Sequence, residues 1–194
     1  GREEANLILG TDLLEHPEKA EGANNIVIVG GGVVGCETAH WLANEYGKNV
    51  TVLEMLPHFM MGVCTANRGH LLHYLEKLGV RLYNCTKVKA LAKDGVYVEQ
   101  NQSQTVPDPY NTWQPLLPPN IPNPMEKAIK EEIVEKKIPA DLIVLAMGGK
   151  ADETFFFEAG EEHLAKEIYN IGDSSRAGRV LEAVRGAYHL AVRI

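Results

Sequence analysis

Basic residues are scarce in this chain: 19 Lys and Arg stand against 26 Asp and Glu, for a net charge of −7. Nucleic-acid binding needs clustered cations to displace phosphate counterions, and here they are scattered among acids. No apolar run approaches the ~20 residues that cross a bilayer, so no membrane association is expected. The opening, Gly1-Arg2-Glu3-Glu4, is polar and lacks the apolar stretch of a secretory leader. It also lacks methionine, which suggests a processed piece or an excised segment of a longer protein. Cysteine is limited to Cys36, Cys64 and Cys85, an odd count without close pairs. Neither a disulfide framework nor a tetrahedral metal site follows. Buried, reduced thiols in a cytoplasmic protein are the expectation. Four thiolates for an iron–sulfur cluster are lacking, and His70 and His73 have no third ligand in view.

What is present reads as globular α/β sequence, 45% hydrophobic and 23% charged over 194 residues. Residues 1–24 are mostly polar and read as a connector. Ile26-Val27-Ile28-Val29 is a continuous apolar run ending at glycine, as in a strand buried on both faces of a parallel sheet. From Gly35 to Tyr46, Ala39, Leu42, Ala43 and Tyr46 recur at helical spacing, and Gly47 closes the helix. Val50-Thr51-Val52-Leu53 is a second strand ending at Glu54. A helix follows over about Ala66 to Leu78. Two strands, Arg81 to Leu91 and Val96 to Glu99, flank the turn Lys93-Asp94-Gly95.

Residues 101–125 carry Pro107, Pro109, Pro115, Pro118, Pro119, Pro122 and Pro124, too many for a helix or an inner strand. This surface excursion has apolar members, Trp113, Leu116, Leu117 and Ile121, that suggest docking on another surface. Leu142 to Ala146 is a further buried strand. The chain closes on a helix from about Arg179 to Ile194, with Val180, Val184, Ala187, Leu190 and Ile194 expected inward.

The chemistry sits where the first strand meets the first long helix. Gly30-Gly31-Gly32-Val33-Val34-Gly35 places Gly-x-Gly-x-x-Gly between a buried strand and a helix, and Glu54 ends the next strand 24 positions after Gly30. Gly30 permits the tight turn, Gly32 leaves room for a diphosphate against the backbone, and Gly35 lets helix and strand pack closely. The helix N-terminus offers unpaired N–H groups and a positive dipole end. Glu54 can accept from ribose hydroxyls, each bond contributing about 1.5–3 kcal/mol. A 2′-phosphate there meets like charge, at a cost of about 4 kcal/mol per unit pair at 4 Å. That is roughly a thousandfold in affinity, and residues 55–59 supply no Arg or Lys to offset it. NAD(H) is therefore expected over its phosphorylated counterpart. The same motif can hold the ADP half of FAD, and the local pattern alone leaves that open.

The string from Ile26 to Ala39 resembles the NADH-domain fingerprint of flavoproteins with two dinucleotide-binding domains. Within that class, Val52 to Pro57 and Ile171 to Ala191 resemble the C-terminal half of the 2-enoate reductase and 2,4-dienoyl-CoA reductase family. The resemblance implies a Rossmann-like NADH-binding domain over 25–150, with a parallel sheet core, an antiparallel β excursion and the Pro-rich stretch 101–125. Residues 151–194 would be the C-terminal segment of a split FAD-binding domain. It further implies Glu37 near the nicotinamide, Val88 on the adenosine side and Gly148 in close backbone approach. Gly172 and Asp173 would meet FAD. Each has a plainer reading beside this: Glu37 as an acid favoured by the helix dipole, Val88 as core, Asp173 as a cap or turn residue.

On this reading the chain is an electron-input module that passes hydride from NADH to FAD, within a larger protein that reduces an enoate or enoyl-CoA type substrate. Its partners are other domains of that protein, and it names no catalytic residue of its own. Two departures from the family stand out: Lys150-Ala151-Asp152-Glu153 where a Pro-Asn pair is usual, and the length of the 101–125 excursion. A stand-alone NAD-dependent dehydrogenase needs a helical Tyr-x₃-Lys pair, and Tyr83 and Lys87 fall in strand sequence. The Cys-x-x-Cys of a thioredoxin-reductase type enzyme is missing. A non-enzymatic NAD-sensing module would leave Gly172-Asp173 without a purpose.

Overall fold

The computed structural model describes residues 1, 3–113, 117 and 120–194. It divides into two compact units, Gly1–Met147 and Gly148–Ile194.

The first unit is built on a parallel sheet of five strands. These are β1 (Leu7–Leu9), β2 (Asn25–Val29), β3 (Asn49–Leu53), β4 (Arg81–Tyr83) and β8 (Leu142–Leu145), in the order β1-β8-β2-β3-β4. Three more strands, β5 (Thr86–Ala92), β6 (Gly95–Asn101) and β7 (Ile133–Pro139), form an antiparallel sheet in chain order. Helices α1 (Gly10–Glu15), α2 (Val33–Tyr46) and α3 (Thr65–Lys77) complete this unit.

Strand β2 shows why its sequence is apolar without alternation. Ile26 and Ile28 belong to one core cluster with Cys36, Ala39 and Leu42 of α2 and Leu72 and Leu75 of α3. Val27 and Val29 belong to a second, with Val96 and Val98 of β6 and Ile138 of β7. Each face of the strand is covered by a different layer, helices on one and the small sheet on the other. Burying a side chain of this size contributes about 1.5–3 kcal/mol. At the sheet's N-terminal edge, Asp141 Oδ2 accepts from the backbone N–H groups of Asn24 (3.0 Å) and Asn25 (2.7 Å). Those bonds hold its carboxyl below the usual carboxylate range.

Several expectations are corrected. Residues 1–24 are not a connector: β1 pairs in parallel with β8, Leu7 to Ile143 through Leu9 to Leu145, and Leu13 of α1 is fully buried. The three-residue strand was too short to show a period. The strand expected over Arg81 to Leu91 is two strands in different sheets, broken at Asn84 and Cys85, the latter with a positive φ of 46°. β7 was not anticipated, because its solvent-facing residues Glu135 and Lys137 mask the pattern. Of the thiols, Cys36 is buried and Cys64 exposed.

The excursion between β6 and β7 docks on its own unit, through polar anchors. Tyr110 Oη donates to Val80 O (2.6 Å) and accepts from Leu82 N–H (3.2 Å). Its expected apolar anchors Trp113, Leu117 and Ile121 are exposed. Leu116, like Pro115, Pro118 and Pro119, lies outside the described residues.

The second unit contains α4 (Thr154–Glu161), a 3₁₀ turn at Gly172–Ser174 and α5 (Val180–Ala191). Its one buried residue among those described is Ala159. The inward face expected of the last helix is therefore corrected: Val180, Val184 and Ile194 are exposed, and Ala187 and Leu190 only half-buried. The stripe exists, and nothing within this small unit covers it.

Candidate functional site

The glycine turn leaves β2 and enters α2 under tight constraint. Gly30 has φ +114°, and its N–H donates to Leu53 O (2.9 Å). A Cβ at Gly30 would strike Ala146 O, and one at Gly35 would strike Gly30 O. At Gly31 it would lie 2.6 Å from Phe59 Cε1 and 2.8 Å from Glu54 Cβ. Gly32 differs: a Cβ there would meet nothing within 4 Å. Three of the glycines thus make the turn possible, while Gly32 borders open space. Gly32 is the N-cap of α2, and no side chain caps this helix. The N–H groups of its first turn, at Val33, Val34 and Gly35, have no acceptor within the helix, as at any helix N-terminus. The cradle fits a diphosphate.

Glu54 closes the other side. Its Oε2 accepts from Gly31 N–H and its Oε1 from Leu56 N–H, both at 2.8 Å. The carboxylate is thereby fixed in orientation, and each oxygen keeps a further lone pair for a hydroxyl donor. Behind the turn lies Cys36, whose Sγ donates to Gly31 O (3.6 Å). Burial pushes its pKa up to about 12, and the Glu54 carboxylate adds to the effect. Cys36 stays a neutral thiol at physiological pH, a packing residue and not a nucleophile.

The loop after Glu54 is braced by residues that sequence reasoning missed. Phe59 is fully buried, and Met60 N–H donates to Gly31 O (2.8 Å). Arg68, 3% exposed, donates from Nε to Phe59 O (2.9 Å) and from Nη1 to Asn111 O (2.8 Å). Burial lowers its pKa. Asn84 Nδ2 donates to Pro57 O (2.6 Å) and Pro107 O (2.8 Å). No local pattern marked Arg68 or Asn84; their acceptors are main-chain carbonyls, which carry no side-chain signature. Beside this loop a groove of about 440 Å³ is lined by His58, Trp113 and Glu126, among others. His58 Nε2 lies 3.6 Å from Glu126 Oε1. Burial outweighs that carboxylate and lowers the His58 pKa, so the contact at neutral pH is between a neutral imidazole and a carboxylate.

The structure thus brings together Gly30 to Gly35 and Glu54. Glu37 is exposed in the second turn of α2, where the dipole of the helix start acts more weakly than in the first turn. Val88 is half-buried in β5, opposite Val98, against the second core cluster. In the second unit, Gly148 is exposed with φ +86°, and a Cβ there would meet nothing within 4 Å. Gly172 has φ +71°, and Asp173 Oδ1 accepts from Gly178 N–H (3.1 Å). Tyr83 ends β4 while Lys87 lies in β5 of the other sheet, so no helical turn joins them. His70 and His73 are exposed on α3 around Tyr74, with ring centroids 4.7 and 6.0 Å away. Among the described residues no cluster of three metal-ligating side chains occurs, and no helix is long and apolar enough to cross a membrane.

A glycine turn with an open second glycine, an uncapped helix start and a fixed strand-end carboxylate defines a dinucleotide-binding fold. The chain belongs to the pyridine nucleotide-disulphide oxidoreductase family, whose pattern it matches over residues 9–172. It is similar to an NADH oxidase of Thermoanaerobacter brockii, 26% identical over 94% of this chain and 23% of that protein. A cinnamate reductase of Clostridium sporogenes is 22% identical over 91% of this chain and 22% of its own length. Among solved structures, a 2-naphthoyl-CoA reductase in complex with 2-naphthoyl-CoA superposes with a TM-score of 0.71 at 25% identity. It covers 97% of this chain, which spans 23% of the reductase. The chain therefore spans less than a quarter of these relatives. The family uses FAD and NAD(H).

Proposed function

We propose that this chain is the NADH-binding, electron-input portion of a flavin-dependent oxidoreductase. The observation that carries the reading is the bridge from Glu54 to Gly31 N–H beside the open face of Gly32. NADH and FAD supply the hydride chemistry when bound, and the protein's contribution is positioning and electrostatics. The N–H groups of Val33, Val34 and Gly35 would hold the diphosphate. Glu54, oriented by two backbone donors, would hold the ribose hydroxyls and repel a 2′-phosphate. Glu37 would stand toward the nicotinamide, Val88 toward the adenosine, and Gly148 would admit the cofactor against backbone. Gly172 and Asp173 would meet FAD as part of a split FAD-binding segment over 151–194.

The cinnamate reductase and the 2-naphthoyl-CoA reductase support an enoate or enoyl-CoA type substrate, handled elsewhere in the protein. Its partners would be other domains of that protein, in the cytoplasm. The exposed stripe Val180, Val184 and Tyr188 on α5 supports such neighbours. No proton donor is required of this chain, because hydride transfer needs none here.

The test is titration of the protein with NADH, followed by cofactor fluorescence. Glu54→Ala is expected to weaken binding about ten- to a hundredfold, the loss of one charge-assisted bond. Unchanged affinity overturns the reading.

A further inference from the structure

We propose that residues 101–113 of the Pro-rich excursion are a strap that sets dinucleotide selectivity, with Asn84 and Arg68 as positioning residues that act through Glu54. This rests on the reading of Glu54 as the ribose ligand. The loop from Glu54 to Met60 is held on one side by the glycine turn, through Gly31 N–H to Glu54 Oε2 and Met60 N–H to Gly31 O. On the other side two buried side chains hold it, and each reaches across to the excursion. Asn84, 4% exposed, uses one amide nitrogen to bind both Pro57 O and Pro107 O. Arg68 spans Phe59 O and Asn111 O with separate guanidinium nitrogens. The strap is itself seated: Tyr110 Oη bonds Val80 O and Leu82 N–H, and Asn101, 7% exposed, ties the two ends of the excursion together. From Asn101 Oδ1 those ties run to the N–H groups of Ser103 (3.1 Å) and Glu132 (3.0 Å), and from Nδ2 to Lys130 O (2.8 Å).

A carboxylate held in one orientation costs little to present to a ribose and cannot swing away from a 2′-phosphate. Without the strap the loop gains freedom, and Glu54 loses both its preorganisation for NADH and its power to exclude NADPH. The strap therefore contributes to selectivity without touching the ligand.

Asn84→Leu removes both donors without adding charge. In the full-length protein its NADH Kd is expected to rise about tenfold, as for two lost hydrogen bonds, with the NADPH Kd rising less. The preference for NADH narrows accordingly. In a Glu54→Gln background, Asn84→Leu should have little further effect on either ligand, because positioning through Glu54 is no longer there to lose. Tyr110→Phe, which unseats the strap while keeping the ring, should show the same coupling at a few-fold amplitude; it serves if Asn84→Leu does not fold. Equal weakening of both nucleotides, or additivity with Glu54→Gln, overturns the strap and leaves the site intact. No change in NADH affinity on Glu54→Gln alone overturns the site, and the strap falls with it.

Discussion

The two units contrast in how they treat the same kind of sequence. In Gly1–Met147, apolar residues at strand and helix spacing are buried on both faces of a sheet, and Leu72 and Leu75 of α3 are fully enclosed. In Gly148–Ile194, an equally regular stripe on α5 leaves Val180 80% exposed. The spacing alone does not distinguish them. An apolar period reports which residues share a face of a helix; whether that face is covered depends on what other elements bring to it.

The contrast can be broken by mutation. Leu72→Ala should cost about 2–5 kcal/mol, since it opens a cavity between α3 and the sheet, and thermal or urea unfolding would register it. Little loss would mean that the first unit is not packed as described. A smaller effect follows from pH. Because burial lowers the folded pKa of His58 below its ordinary 6.5, the neutral form is the one that folding favours. Its stabilising contribution is present above that ordinary value and is lost as pH falls through it toward the folded pKa. Melting temperatures between about pH 7.5 and about pH 5.5 should therefore drop, and His58→Gln should flatten part of that slope. A stability that rises on acidification would reverse the assignment and favour the charged pair with Glu126. The smallest effect belongs to the second unit. Val184→Ser on α5 should change the stability of this chain by less than about 0.5 kcal/mol. A loss of core size there would show that its stripe is buried after all.

Much of the candidate site was legible in the residues. Gly30, Gly32 and Gly35 with Glu54 form a pattern whose parts each have a mechanical cause, and the structure sets them face to face. Gly31 proved as constrained as Gly30 and Gly35, by the ring of Phe59, which no spacing rule includes. Strands β2 and β3 were readable as continuous apolar runs, and helices α2 and α3 from their length and apolar spacing. β1, with three residues, and β7, with charged outward positions, gave no such signal. The excursion was recognisable as irregular from its prolines, yet its anchors were misjudged: Tyr110, Asn84 and Arg68 hold it, and Trp113 does not.

What the sequence by itself determined is local: a turn only glycine can make, the helix it opens, and an acid at the end of the adjoining strand. These depend on neighbours within a few residues or on one βαβ unit, so composition and spacing carry them. The tertiary structure alone decided which surfaces are covered, where β1 joins the sheet, and how an excursion far along the chain reaches the loop behind Glu54. Those contacts run through main-chain carbonyls and buried donors many residues apart, and a carbonyl is the same atom in every residue, so no one-dimensional pattern records it.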